Sequence, residues 1–242
     1  MSRSTDRLEW VGFPDDSSLA ESVAERWLRE MTSSSASSFA VALAGGRITR
    51  QFFISSSRLF SKKSFLFERV HFFWGDERCV PPPHADSNYR LAYEHLLGPL
   101  RIQEDRVHRI RGELDATQAA SEAAADLCRS VALTANNQPI LDLVFLGMGE
   151  DGHVASLFPG EPEAAAQSPA VYRPVVATKP PPVRITLGYD AIAAARQVWV
   201  LASGANKEEA LRVSLSPDGK TPLARVIQMR ERTVVFSDIR IQ

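Results

Sequence analysis

Gly147-Met148-Gly149-Glu150-Asp151-Gly152-His153 brings three glycines, two acids and a histidine together directly after the most apolar run of the chain, Leu141 to Leu146. No packing rule asks for that combination. An imidazole there could take a proton from water and return it to a leaving oxygen near neutral pH. Asp151, two residues earlier, could orient or charge-stabilise the ring. The plainer alternative is a turn whose histidine caps a helix. Three other segments also set glycine beside charge or a helix start. Gly45-Gly46, followed by Arg47, could point backbone N–H groups at an oxyanion, although it also suits an ordinary strand–helix turn. It is neither a Walker loop nor a dinucleotide fingerprint. Gly204-Ala205-Asn206-Lys207 would set an ammonium in the first turn of a helix, against the helix dipole, a conflict that a bound phosphate would remove. Gly75-Asp76-Glu77-Arg78 reads either as a substrate contact or as a solvated acidic–basic turn, and Asn88 and Arg184 also have ordinary structural alternatives.

These segments become one pocket only if the elements before them are parallel strands, because open parallel sheets bind ligands at the carboxyl ends of their strands. The apolar runs fit: Leu8–Phe13, Phe39–Ala44, Val70–Trp74, Leu141–Leu146, Val198–Ala202 and Thr233–Phe236 read as strands. Helical stretches alternate with them. Ser18-x-x-Glu21 has the form of a capping box, and Leu19, Val23, Trp27 and Met31 would line one helical face. A second helix runs from Gly46 to about Phe60; Asp86 or Ser87 caps a third that Gly98-Pro99 stops; Ala120, Ala124, Leu127 and Val131 mark a fourth; Ala205–Leu215 is a fifth. The expected architecture is a single three-layer, Rossmann-like α/β domain spanning residues 1–242. Its sheet is mainly parallel with helices on both faces, and an antiparallel excursion lies near residues 171–190, around Pro180-Pro181-Pro182.

Composition narrows the function further. The 242 residues are 44% hydrophobic and 24% charged, enough for a core without disulfides or structural metal. A net charge of −1 offers no global field for nucleic acid. Cys79 and Cys128 are isolated, and the remaining histidines (His71, His84, His95, His108) lack ligand spacing, so neither a metal nor another cofactor is expected. No apolar run is long enough to span a membrane and the N-terminus has no signal-peptide stretch, so a cytoplasmic setting is expected.

Taken together, Phe72-Phe73-Trp74-Gly75-Asp76-Glu77-Arg78-Cys79-Val80-Pro81, Asp86-Ser87-Asn88-Tyr89 and Leu146 to Gly160 resemble the 6-phosphogluconolactonase family, relatives of glucosamine-6-phosphate deaminases and ribose-5-phosphate isomerases. Pro180-Pro181-Pro182-Val183-Arg184-Ile185-Thr186-Leu187 and Gly204-x-x-Lys207 extend the resemblance in the same order. It implies hydrolysis of 6-phospho-D-glucono-1,5-lactone without a cofactor, acting on a small sugar phosphate lactone and with no nucleic-acid or membrane partner, in a monomer or weak homo-oligomer. On that reading His153 is the general base, Asp151 holds it, and Arg78 with glycine-loop N–H groups, Gly149 among them, stabilises the oxyanion. Gly45, Gly46, Arg184 and Lys207 hold the phosphate, while Arg47, Asp76 and Asn88 complete the substrate contacts. One departure stands out. The family's first loop usually reads Ser-Gly-Gly-Ser-Thr, and here it is Ala44-Gly45-Gly46-Arg47-Ile48-Thr49. Two rival classes are a deaminase or isomerase, which would use an acid near Asp76 and Glu77, and a sugar-phosphate-sensing regulator, which would need a helix-turn-helix segment that has no room before Leu8.

Overall fold

The structure is a computed structural model that describes residues 2–5, 7–61 and 64–241. Among the described residues, ten strands form two sheets. The larger contains β1 (Ser2–Thr5), β2 (Leu8–Gly12), β3 (Phe39–Leu43), β4 (Val70–Trp74), β6 (Leu143–Gly147), β9 (Gln197–Ala202) and β10 (Thr233–Ser237), in the order β1-β2-β10-β9-β6-β3-β4. Every neighbouring pair is parallel except β1–β2. The smaller sheet is antiparallel, with β5 (Asp76–Arg78), β8 (Val183–Leu187) and β7 (Tyr172–Val176) side by side. It is the excursion expected near residues 171–190, joined by a short strand, β5, that the sequence did not mark.

β3 and β10 are buried along their whole length, and β4, β6 and β9 nearly so. Burial on both faces is why these strands read as unbroken apolar runs. Thr233–Phe236 lies inside the sheet, between β2 and β9, and not at its rim.

Eight α-helices among the described residues connect the strands: α1 (Asp16–Ser33), α2 (Arg47–Phe60), α3 (Asn88–Ala92), α4 (Ala116–Ser130), α5 (Glu163–Ala166), α6 (Tyr189–Ala194), α7 (Glu208–Leu215) and α8 (Pro222–Gln228). α1 buries Leu19, Val23, Trp27 and Met31, as its spacing predicts. Its cap differs from expectation. Asp15 is the N-cap, accepting from the amide and hydroxyl of Ser18 at 2.8 Å each. A carboxylate three residues before Ser18 outcompetes the box drawn from Ser18 and Glu21, whose glutamate stays exposed. Trp27 of α1 sits among Phe52 and Phe60 of α2, Phe67, and Phe145 of β6, ring centroids 5.3–5.8 Å away. That aromatic cluster fixes α1 and α2 against the middle of the large sheet.

α3 ends after five residues and continues as a wider turn over Tyr93–Leu97, and Ser87 is its N-cap. The stretch expected as one helix from Ala205 begins as a 3₁₀ turn over Ala205–Lys207, so Lys207 stands at the N-cap of α7 and not within its first turn.

On the outer side of β4 a polar chain links four residues. Arg106 donates to Nε2 of His71 at 2.7 Å. An arginine can only donate, so Nδ1 of His71 carries the proton and donates to Nε2 of His108 at 2.9 Å. Nδ1 of His108 in turn donates to Asp126 at 2.8 Å. Burial, and secondarily His108 and Arg106, holds the His71 imidazole below its ordinary pKa.

Candidate active site

The chain leaves β3 toward β4 on one side, but leaves β6 toward β9 on the other. Adjacent strands whose connections diverge open a crevice at their carboxyl ends. Gly45-Gly46 follows β3 and Gly147–His153 follows β6, so the sheet topology sets the two glycine loops side by side.

The loop after β6 is held tightly. Met148 bridges Val154, Gly149 donates its N–H to the carbonyl of His153 at 2.9 Å, and Gly152 donates to the carbonyl of Gly149 at 3.1 Å. Gly152 has φ +80°, and a side chain there would also strike Thr221. Gly149 is required for another reason: a Cβ on it would lie 2.1 Å from Cε1 and Nδ1 of His153. The imidazole therefore rests on a backbone surface that only glycine provides.

Asp151 Oδ1 accepts from the backbone N–H of His153 at 3.1 Å and from its Nδ1 at 2.5 Å. A carboxylate only accepts, so Nδ1 carries the proton and Nε2 keeps its lone pair. Burial opposes ionisation of Asp151, yet the His153 amide and imidazole outweigh it and hold this carboxyl below its usual range. The pair has the geometry of a base and its orienting acid.

Around His153 a cleft is lined by Gly45, Gly46, Arg47, Asp76, Arg78, Asn88, Arg184 and Lys207, with Ala44, Ile48, Gly147, Met148 and Ala155 completing its walls. The expected site residues thus converge, except Gly149 and Asp151, which stand behind His153 and hold it. Four cationic side chains face one carboxylate in this lining. Arg78 and Arg184 are direct cross-strand partners in β5 and β8. Like charges placed opposite each other are unfavourable without an anion between them. Burial first, then Arg78, pulls the Arg184 guanidinium below its ordinary pKa. The buried Nε of Arg78 has no hydrogen-bond partner among the described residues, while its NH1 donates to the carbonyl of Asp86 at 2.6 Å. Burial, then Arg47, likewise lowers the Lys207 ammonium, which forms no ion pair among the described residues.

The remaining polar residues serve mainly to shape this cleft. Asp76 is buried, with Oδ1 accepting from Asn88 at 3.0 Å and Oδ2 from the Ser156 hydroxyl at 2.7 Å. It ties β5, α3 and the histidine loop together. The Asn88 side chain lies across Gly45, where a Cβ would come within 1.9 Å of its Oδ1. Glu77 accepts from the amides of Arg78, Asn88 and Tyr89 at 2.8 Å each and from Ser87 Oγ at 3.0 Å. Burial pushes its carboxyl up to about 7 against the pull of those donors. Arg47 is exposed and bonded to Asp16 at 2.5 Å and to Ser203 at 3.1 Å, which turns it toward α1 and β9. Ser203 is held in turn by Asp238 at 2.8 Å. Asp16 and Asp238 support Arg47 and Ser203 from behind the cleft and carried no signal in the sequence, while Ser203 stood in the strand-end motif Ser203–Lys207 without an assigned role. Ser156 and Phe158 lay within a motif yet had no assigned role.

The family model described as glucosamine-6-phosphate isomerases/6-phosphogluconolactonase matches residues 14–236. The chain belongs to this family. Within the glucosamine-6-phosphate isomerase/6-phosphogluconolactonase family, a Treponema pallidum protein named 6-phosphogluconolactonase is 37% identical over 186 residues, 76% of this chain and 75% of the relative. A Streptomyces coelicolor protein of the same name is 32% identical over 224 residues, covering 89% and 86%. The structure titled as the 6-phosphogluconolactonase of Trypanosoma brucei superposes with a TM-score of 0.83 at 28% identity, over 98% of this chain and 97% of that one. The mixed α/β fold expected from the strand pattern is therefore the fold of this family.

Proposed function

We propose that this chain hydrolyses 6-phospho-D-glucono-1,5-lactone to 6-phosphogluconate in the oxidative pentose phosphate pathway. The observation that carries the proposal is the Asp151–His153 pair beside a cleft lined by four cations. Nε2 of His153 takes a proton from water as the oxygen attacks the lactone carbonyl carbon. Arg78 and loop N–H groups stabilise the oxyanion that forms. The imidazolium, balanced by Asp151, then returns its proton to the ring oxygen as the C–O bond breaks, so no bare alkoxide leaves. Lys207 and Arg184, with the Gly45-Gly46 turn at the start of α2, hold the phosphate. Arg47 adds positive charge at the rim, and Asp76 and Asn88 act by holding the cleft walls.

A deaminase or isomerase needs an acid free to move a proton between carbons. The Asp76 and Glu77 carboxylates are instead occupied by donors from Asn88, Ser156, Ser87 and backbone amides, which favours the lactonase reading. One continuous buried cluster from Leu19 to Ile239 supports a single domain. The free thiols of Cys79 and Cys128 support a reducing compartment such as the cytoplasm. No helix among the described residues is long and apolar enough to cross a membrane.

The test is NMR observation of lactone decay, with the spontaneous rate subtracted. Wild-type protein should accelerate it, and His153→Ala should lose about 10²- to 10⁴-fold in rate while keeping its fold. Undiminished hydrolysis by His153→Ala would refute the base assignment. Ammonia release from glucosamine 6-phosphate would shift the reading to the deaminase.

A further inference from the structure

Phe158 lies outside both the cleft lining and the hydrophobic core, yet its ring meets the two groups on which proton transfer and anion binding rest. Its centroid is 4.8 Å from that of the His153 imidazole, with the planes inclined at 48°. The guanidinium carbon of Arg184 is 5.6 Å from the same centroid. The backbone that carries Phe158 is fixed on its N-terminal side. Leu157 is fully buried and donates to the carbonyl of Val154 at 2.9 Å, and the Ser156 N–H donates to Thr186 of β8 at 3.1 Å. A half-buried aromatic ring held out from so fixed a loop has no packing need of its own.

Both neighbours are short of other restraints. Arg184 donates only to the carbonyls of Pro181 at 3.2 Å and Lys179 at 3.3 Å, forms no ion pair among the described residues, and faces Arg78 across the strand pair. The negative face of an aromatic ring within about 6 Å offers such a cation partial compensation. Among the described residues His153 has a single side-chain hydrogen bond, to Asp151, which fixes Nδ1 but leaves the tilt of the ring to whatever packs beside it. Aromatic packing supplies that restraint.

We propose that Phe158 is a positioning residue that sets the His153 base and the Arg184 cation at a fixed separation, so that both engage one substrate molecule. This inference rests on the lactonase reading above. It adds Phe158 to Asp76 and Ser156 as a link between the histidine loop of the large sheet and the anion-binding edge of the small one.

The experiment compares Phe158→Leu, which keeps apolar bulk without a π face, with Phe158→Tyr, which keeps the ring, in the same NMR lactone assay, with Tm recorded for each. Phe158→Leu should lose about tenfold in kcat/KM, split between a lower kcat from the loosened imidazole and a higher KM from the released guanidinium. Phe158→Tyr should recover to within about threefold of wild type. If Phe158→Leu does not fold, Phe158→Met takes its place as the aliphatic variant. Aliphatic and aromatic variants with equal activity, whether high or low, would overturn the proposal, because a ring that only fills space gains nothing from being aromatic. A drop in KM performance alone, with kcat untouched, would also overturn it. Wild-type protein that does not exceed spontaneous hydrolysis would instead refute the lactonase reading, and this proposal with it.

Discussion

Replacing Gly149 by alanine gives the sharpest test of how the imidazole is held. The added Cβ would sit 2.1 Å from Cε1 and Nδ1 of His153, whereas ordinary contact begins near 3.4 Å, so ring and methyl must separate by about 1.3 Å. Gly149 has no left-handed φ, so the backbone tolerates alanine, and the displacement falls on the His153 side chain. Its one side-chain hydrogen bond, 2.5 Å to Asp151, cannot survive a shift of that size. A misplacement of about 1 Å at a reacting group can cost on the order of 10²-fold in rate, or about 2.7 kcal/mol of transition-state stabilisation. Gly149→Ala should therefore lose about 10²-fold in kcat and leave KM within about threefold, because the cations of the cleft are untouched. NMR lactone decay under saturating and limiting substrate measures both terms, and far-UV circular dichroism checks the fold. A variant with kcat within twofold of wild type would refute the claim that catalysis depends on where this ring rests.

Lys207→Ala should raise KM by about 10- to 100-fold with little change in kcat, since it removes a charged partner of the phosphate; an unchanged KM in the same assay would take Lys207 out of the binding site. Glu77→Gln should destabilise the fold by about 3 kcal/mol, measured by denaturant unfolding, because an amide NH₂ would meet donors that the carboxylate now accepts; a loss below about 0.5 kcal/mol would show that the loop does not depend on this clamp. The folded chain binds a proton at His71 more weakly than the unfolded chain does, so this residue's share of stability is complete above pH 6.5 and is lost as pH falls below it. Tm should accordingly fall between pH 7 and pH 5, where roughly the His range is crossed, and His71→Leu should flatten that fall; an equally steep profile in the variant would clear His71 of the effect.

The sequence carried the parts of this molecule that depend on local chemistry. Continuous burial made β3, β6, β9 and β10 visible, and the i, i+4 spacing of Leu19, Val23, Trp27 and Met31 marked the inner face of α1. Glycines beside charge at strand ends located most of the cleft. What escaped depends on long-range pairing. β5 is a strand only because β8, more than 100 residues later, supplies its partner. Ser203, Asp16 and Asp238 meet around Arg47 only once α1, β9 and β10 are side by side. Asp76 and Asn88 were read as substrate contacts on the family resemblance, beside ordinary structural alternatives, and only the fold reveals the partners that already occupy the Asp76 carboxylate. Gly149 was read among the donors, whereas its position beneath the imidazole appears only in three dimensions.

The division of labour between the two sheets has a consequence for how such a protein can change. The Asp151–His153 pair proposed for proton transfer hangs from β6 of the large sheet, while Arg78 and Arg184 belong to the small one, which meets the first through Gly75, Asp76 and Ser156. On the proposed function, exchanges in the 172–187 hairpin retune which anionic sugars are accepted, while the Asp151–His153 pair keeps its footing on β6 and feels the hairpin through Ser156 and Phe158. Arg78 is where the two duties overlap, so exchanges in β5 touch reactivity as well as selectivity.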